Sequence, residues 1–274
     1  MGVDEMYFPY FRGRQYELLA LKELAQSALL GNHVIPVVEP LKIISTFSGT
    51  TKLFVEKNQP LAIILNPAVG DLSKGDTINA ILPSIDASII PSVIMGNDSE
   101  EAMTALSSKG ISEKNVLAIM TKRDFLNVYQ QVFAASAPRF TLFPDERQIR
   151  RAINENKVMF EDKFKKQEKN ADYLKQEDEF YSDDHLYFKE EGFAGFGDYS
   201  VIGDEYVEGG FAPYAVAIHI VYFANDDTLR IRHFVSDSND DISDVAGKFH
   251  EAVMKLKRWY DAGQARQKTN ALST

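Results

Sequence analysis

A short apolar run that closes on a proline or a polar residue recurs along this chain, and it limits the fold more than any other feature. It is written Met6-Tyr-Phe-Pro-Tyr-Phe-Arg12, His33-Val-Ile-Pro-Val-Val-Glu39-Pro40 and Leu61-Ala-Ile-Ile-Leu-Asn66-Pro67. It returns as Ser88-Ile-Ile-Pro-Ser-Val-Ile-Met95, Val116-Leu-Ala-Ile-Met-Thr-Lys122 and Arg139-Phe-Thr-Leu-Phe-Pro-Asp145. These runs are apolar at odd and even positions alike, so both faces of each strand must be buried. Parallel strands covered by helices meet that requirement.

Segments of helical periodicity lie between the runs. Gln15 to Leu30 ends on Gly31-Asn32, and Phe47 to Lys57 stops at Asn58 and Pro60. Further helices are expected up to Leu82, after Asn97-Asp98, over Arg123 to Phe133 and over Glu146 to Asn154, with a seventh strand at Lys157 to Glu161. No Gly-x-Gly-x-x-Gly turn follows the first strand, which disfavours a nucleotide-binding open sheet. The expected fold is therefore a (β/α)8 TIM-barrel-like α/β domain. The 274 residues sit close to the roughly 250 typical of that fold.

The regularity stops after Glu161. Residues 162–191 read as a charged, aromatic-rich insertion of loop and helix. The acidic group Glu177, Asp178, Glu179, Asp183, Asp184, Glu190 and Glu191 could coordinate magnesium or calcium but lacks the glycine-centred spacing of a calcium loop, and alternating lysines favour a solvated face. Gly192 to Gly203 is the natural eighth strand, with 214–223 as the competing choice. Residues 214–236 form a β-hairpin turned through Asn225-Asp-Asp-Thr228, and an amphipathic helix runs from Asp244 to Tyr260. Residues 1–262 thus read as one barrel domain and 263–274 as a disordered tail.

A formal net charge of −10 argues against direct nucleic-acid binding, because phosphate contacts need clustered lysine and arginine. The absence of cysteine excludes disulfides, thiolate metal sites and cysteine nucleophiles, and suits a reducing cytoplasm. The acidic N-terminus shows no signal peptide and no run is long enough to span a bilayer, so a cytoplasmic protein is expected.

In a barrel the working groups stand at the C-terminal ends of the strands. Arg12, Glu39, Asn66, Lys122, Asp145 and Arg147 follow the runs, and Asp198 follows the proposed eighth strand. Glu39 and Asp198 are the acid–base candidates. Arg12, Asn66, Lys122, Asp145 and Arg147 are the candidates for holding an anionic ligand. A blander reading stands beside this one: charged residues end strands because loops are wet, and Arg12 with Glu39 could form a structural ion pair across neighbouring strands.

His219 and His233 lie on the two hairpin arms, directly opposite in one register and on opposite faces in the other. No ligand spacing supports a metal there, so a packed or hydrogen-bonded pair is expected; no metal site is assigned and the cofactor is left open. Glycines 192, 195, 197 and 203 could cradle a phosphate or allow close backbone approach where the barrel closes. Phe180, Tyr181, Tyr187, Phe188, Phe193 and Phe196 either seal the barrel mouth or offer a ligand or partner surface.

The stretch Met6 to Leu21, followed by Val34-Ile-Pro-Val-Val-Glu-Pro40, resembles the opening of the Beta-protein-like family of bacteria and their phages. Glu190 to Gly203 is similar to that group's late strand. Gly209 to His219 and His233 to Asn239 resemble a functionally uncharacterised bacterial subgroup. The resemblance extends to about Tyr260. It implies a barrel-like α/β fold, a mobile-element or phage-defence setting, and a nuclease-like protein partner encoded nearby; it supplies no catalytic residues. Two functions follow. One is a ligand-sensing or partner-binding component of a two-component module. The other is an enzyme acting on a small anionic or nucleotide-like substrate at the rim.

Overall fold

The computed structural model describes residues 6–73, 77–86, 88–200, 203–207, 209 and 212–263. Most of the expected tail, from Gln264, lies outside the described residues, as does part of the glycine turn at 209–210. The chain divides into two compact units. Of the described residues, one holds 6–161 and Tyr187–Ser200; the other holds Asp162–Leu186 and those from 203 to 263.

The first unit is a closed, parallel, eight-stranded α/β barrel of the TIM type. Its elements alternate as β1 (Met6–Phe11), α1 (Gln15–Gln26), β2 (Val37–Val38), α2 (Ser45–Glu56), β3 (Leu61–Ile64) and α3 (Thr77–Ile81). They continue as β4 (Ile89–Ile94), α4 (Ser99–Ser108), β5 (Leu117–Ile119), α5 (Leu126–Val132), β6 (Phe140–Phe143), α6 (Arg147–Ala152) and β7 (Lys157–Glu161). After the excursion into the second unit the chain returns as β9 (Gly195–Asp198), which pairs in parallel with both β7 and β1 and closes the ring. The eighth strand is therefore the glycine-bearing segment and not 214–223.

Strand alternation sorts the side chains into two layers. Phe8, Tyr10, Val37, Ala62, Ile64, Ile90, Leu117, Ile119, Leu142, Val158 and Phe160 fill the barrel interior. The intervening residues, such as Leu65, Val93, Ala118, Phe143 and Met159, meet the helices in an outer core that also takes in Phe188 and Phe193. Closure needs room for Phe8 and Phe160. The inward positions of β9 are Gly195 and Gly197, and a Cβ on Gly197 would lie 2.5 Å from the Phe8 carbonyl and 3.2 Å from the Phe160 ring. Close approach explains these two glycines without a phosphate.

The second unit is a three-stranded antiparallel sheet in the order β10 (Ala217–Phe223), β11 (Leu229–Val235) and β8 (Asp178–Ser182), with α8 (Val245–Asp261) beside it. The hairpin appears as β10 (Ala217–Phe223) and β11 (Leu229–Val235), in the register that sets His219 against His233. The region expected as loop and helix departs from expectation. It contains the strand β8 (Asp178–Ser182), followed by the single turn α7 (Asp184–Tyr187). Two of the carboxylates expected in a solvated face are instead engaged by β11 and β10. Asp178 accepts from Arg230 Nε at 2.5 Å and from Tyr222 Oη at 2.5 Å, and Glu179 is buried beside His233. Partners some 50 residues on offset their desolvation, so an acidic segment can serve as a strand.

Candidate functional site

The barrel's C-terminal rim gathers a small polar cluster on β1, β2 and the loop after β9. Tyr10 pairs with Val37 in register, and both point inward. Two residues further, the same alternation carries Arg12 and Glu39 to the rim. Gly13 makes the turn behind them: its φ is +64°, and a Cβ there would sit 2.9 Å from the Glu39 carbonyl. A side-chain-bearing residue would be strained and crowded at this point.

Glu39 is fully buried and its oxygens are engaged. Oε2 accepts from Tyr10 Oη at 2.8 Å and from Arg12 Nη1, while Oε1 accepts from the Ala68 backbone N–H at 2.6 Å. Arg12, 8% exposed, lies 5.3 Å from the Tyr10 ring centroid and 5.6 Å from that of Tyr199. Tyr199 also packs 4.5 Å from Phe160 and 5.0 Å from Tyr10. Burial, and then the charge of Glu39, hold the Tyr10 phenol well above its ordinary pKa, so it remains a donor at neutral pH. Burial opposes the charge on Arg12, but Tyr10 and Glu39 outweigh it and raise its pKa. The result is a neutralised, hydrogen-bonded ion pair roofed by aromatics, matching the structural ion pair across adjacent strands.

The other expected site residues are distributed differently. Asn66 is buried at the end of β3, where its amide acts as one more peptide of the β3–β4 ladder. Nδ2 donates to the Ile94 carbonyl at 2.7 Å and to Asp98 Oδ1 at 3.0 Å, and Oδ1 accepts from Ile94 N–H at 2.9 Å. Asp198 pairs with Pro9, on the opposite face of the wall from Gly197 and Phe8. It accepts from Tyr7 Oη at 3.2 Å and from the Ser200 N–H at 3.0 Å, on the outer side of the barrel, away from Glu39. Lys122, Asp145 and Arg147 are exposed, and Asp145 pairs with Arg150 at 3.1 Å. Of the seven residues, Arg12 and Glu39 come together, Asn66 braces the neighbouring strands, Asp198 faces the outer side, and Lys122, Asp145 and Arg147 are exposed. Tyr10 and Tyr199, which complete the cluster, were missed. Counting by twos back from Arg12 and onward from Gly197 would have found them.

The second unit has its own buried polar group. His219 Nδ1 and His233 Nδ1 are 2.7 Å apart, so one ring donates and the other accepts. His233 Nε2 lies 3.4 Å from Glu179 Oε1, and Lys165 Nζ reaches Glu179 Oε2 at 3.1 Å. With the carboxylate accepting at Nε2, His233 presents a bare Nδ1 to the N–H of His219. Burial, helped by His233, lowers the His219 pKa to about 4, and burial also lowers that of His233. Both imidazoles are neutral at pH 7. Among the described residues, no group of three or more His, Asp or Glu is placed to hold a metal ion, and no helix is long and apolar enough to cross a membrane.

No protein-family model and no curated protein matches this chain.

Proposed function

We propose that the protein is the partner-binding component of a bacterial two-component module, cytoplasmic and phage- or mobile-element-related, of the kind its Beta-protein-like motifs resemble. The observation that carries this reading is an apolar stripe on α8. Successive turns at 100° per residue align Val245, Phe249, Val253, Leu256 and Tyr260. This stripe stands a quarter turn around from Lys248, Ala252 and Trp259, which are buried. Phe249 is 54% exposed, and Ile242, just before the helix, is 51% exposed. A helix stripe with Val245, Phe249 and Tyr260 exposed and Val253 and Leu256 half-buried is the kind of apolar face that a partner's groove recognises. Asp237, Asp240, Asp241 and Asp244 rim its start, and the whole chain carries −10, which favours a basic protein partner.

The test is co-purification of the full chain with the nuclease-like protein expected to be encoded beside it. The wild type should form a stable complex. Phe249→Asp and Ile242→Asp should abolish it while leaving the unfolding midpoint of the isolated chain unchanged. A complex indifferent to both substitutions, or no complex at all, would overturn the proposal. A second reading, turnover of a small anionic or nucleotide-like substrate at the rim, draws support from the buried Arg12 at the strand ends. The enclosure of Glu39 and the outward placement of Asp198 weaken it.

A further inference from the structure

The second unit holds an open cavity of about 310 Å³ between β11 and the end of α8, lined by Glu177, Arg232, Phe234, Lys255, Arg258 and Trp259 among others. Three of these are cations and one is a carboxylate. The volume falls at the small end of the range for ligand sites, and the mixture of an apolar wall with a few convergent polar groups is usual for them.

Arg232 is the informative residue. Its guanidinium lies 5.8 Å from the Phe234 ring centroid and 5.9 Å from that of Trp259, within cation–π range of both. Its carboxylate neighbours, Glu177 at 3.7 Å and Asp178 at 3.9 Å, are beyond hydrogen-bond reach. Asp178 is already taken by Arg230 and Tyr222. The Arg232 Nε is buried and has no acceptor among the described residues. A guanidinium carries five N–H donors in a rigid fork, and leaving a buried donor unbonded is unfavourable. A carboxylate or phosphate is the group whose shape satisfies that fork.

The rest of the cavity fits the same kind of ligand. Arg258 is exposed at its edge and forms no ion pair with any described residue. Lys255 is occupied at its head, donating to the Val235 carbonyl and to Asp237 Oδ1, each at 2.6 Å, and its charge still adds to the local potential. Phe234, Val235 and Ala262 supply apolar surface.

We propose that this cavity binds a small organic oxyanion, a phosphate or carboxylate carried on a flat apolar body no larger than a mononucleotide. Arg232 takes the oxyanion, Arg258 closes over it from the mouth, and Phe234 and Trp259 flank the body. The site is distinct from the barrel rim and does not depend on the outer stripe of α8.

The chain contains a single tryptophan, and it lines the cavity, so the ligand reports on itself. Full-length protein is titrated with phenyl phosphate, benzoate, adenosine monophosphate and inorganic phosphate, followed by Trp259 fluorescence and by calorimetry. At least one of the three organic anions should give a saturable signal, and the arm that binds tightest distinguishes phosphate, carboxylate and nucleotide. Arg232→Met and the surface change Arg258→Gln should each weaken that binding about tenfold or more. If Arg232→Met does not fold, Arg258→Gln alone decides. The proposal is overturned if no organic anion saturates either signal up to about 10 mM, a concentration well above a millimolar Kd. Binding unchanged by Arg258→Gln, or inorganic phosphate binding as tightly as phenyl phosphate, overturns it equally.

Discussion

Acid should destabilise the second unit, and His219 should set the pH at which this happens. In the folded chain its pKa is lowered from the ordinary 6.5 to about 4, first by burial and then by His233. The unfolded chain therefore binds the proton more tightly, and stability falls as pH drops wherever the two states differ in bound protons. Above about pH 7 neither state holds the proton and there is no penalty. The loss develops between pH 6.5 and about 4 and is complete below that. Each pKa unit is worth about 1.4 kcal/mol, so the gap sets a ceiling of about 3.5 kcal/mol. The ring is only partly buried, and solvent screening reduces this to about 2 kcal/mol. The assay is urea unfolding at pH 7.5 and pH 4.5, read by Trp259, which packs 5.5 Å from Phe234 and 5.1 Å from Tyr222. His219→Phe is the matched variant. It keeps the ring contacts with Phe164 at 5.0 Å and Tyr173 at 4.7 Å and removes the titrating group. It should lose about 1 kcal/mol at pH 7.5, because His233 loses its partner, yet show a shallower pH dependence than the wild type. Equal slopes for the two proteins would refute the reasoning.

Three further outcomes are expected. Glu39→Leu strands the buried Arg12 charge and should cost about 3–5 kcal/mol in urea unfolding, and adding Arg12→Met should recover part of that loss; additive losses would show that the pair is not coupled. Gly197→Ala pushes a methyl against the Phe8 carbonyl and should cost about 1–3 kcal/mol, visible as a lower unfolding midpoint. Asp244 caps α8 by accepting from Gly247 N–H at 2.9 Å and has a φ of +45°. Asp244→Ala should cost about 1 kcal/mol and Asp244→Gly clearly less, since glycine tolerates that backbone.

The barrel was readable because its signal is local and repeated. A strand buried on both faces must be apolar at both parities, and β1 through β7 all announce themselves in this way. The closing strand was readable from its glycines, though not the reason for them. The need for space came from Phe8 and Phe160, which are distant in the chain. The strand β8 was not readable. Asp178 and Glu179 look like solvated charges until Arg230 and His233 are seen across the sheet.

The candidate rim shows the same division. Position after a strand was enough to nominate Arg12 and Glu39, and their adjacency follows from neighbouring strands. It could not say which parity faces inward, and that choice put Asp198 on the outer wall and turned Asn66 into a brace between strands.

By itself the sequence determined the parallel barrel, its order of elements, and the break after Glu161. Apolar periodicity reports burial directly, and burial dictates those features. Only the tertiary structure decided that the irregular remainder forms an antiparallel sheet with its own helix, in the register that joins His219 to His233. It also decided that Glu39 is locked in place and that the Arg232 Nε in the cavity wall has no acceptor among the described residues. Whether a charge is solvated, paired or left waiting depends on side chains that meet only when the chain has folded.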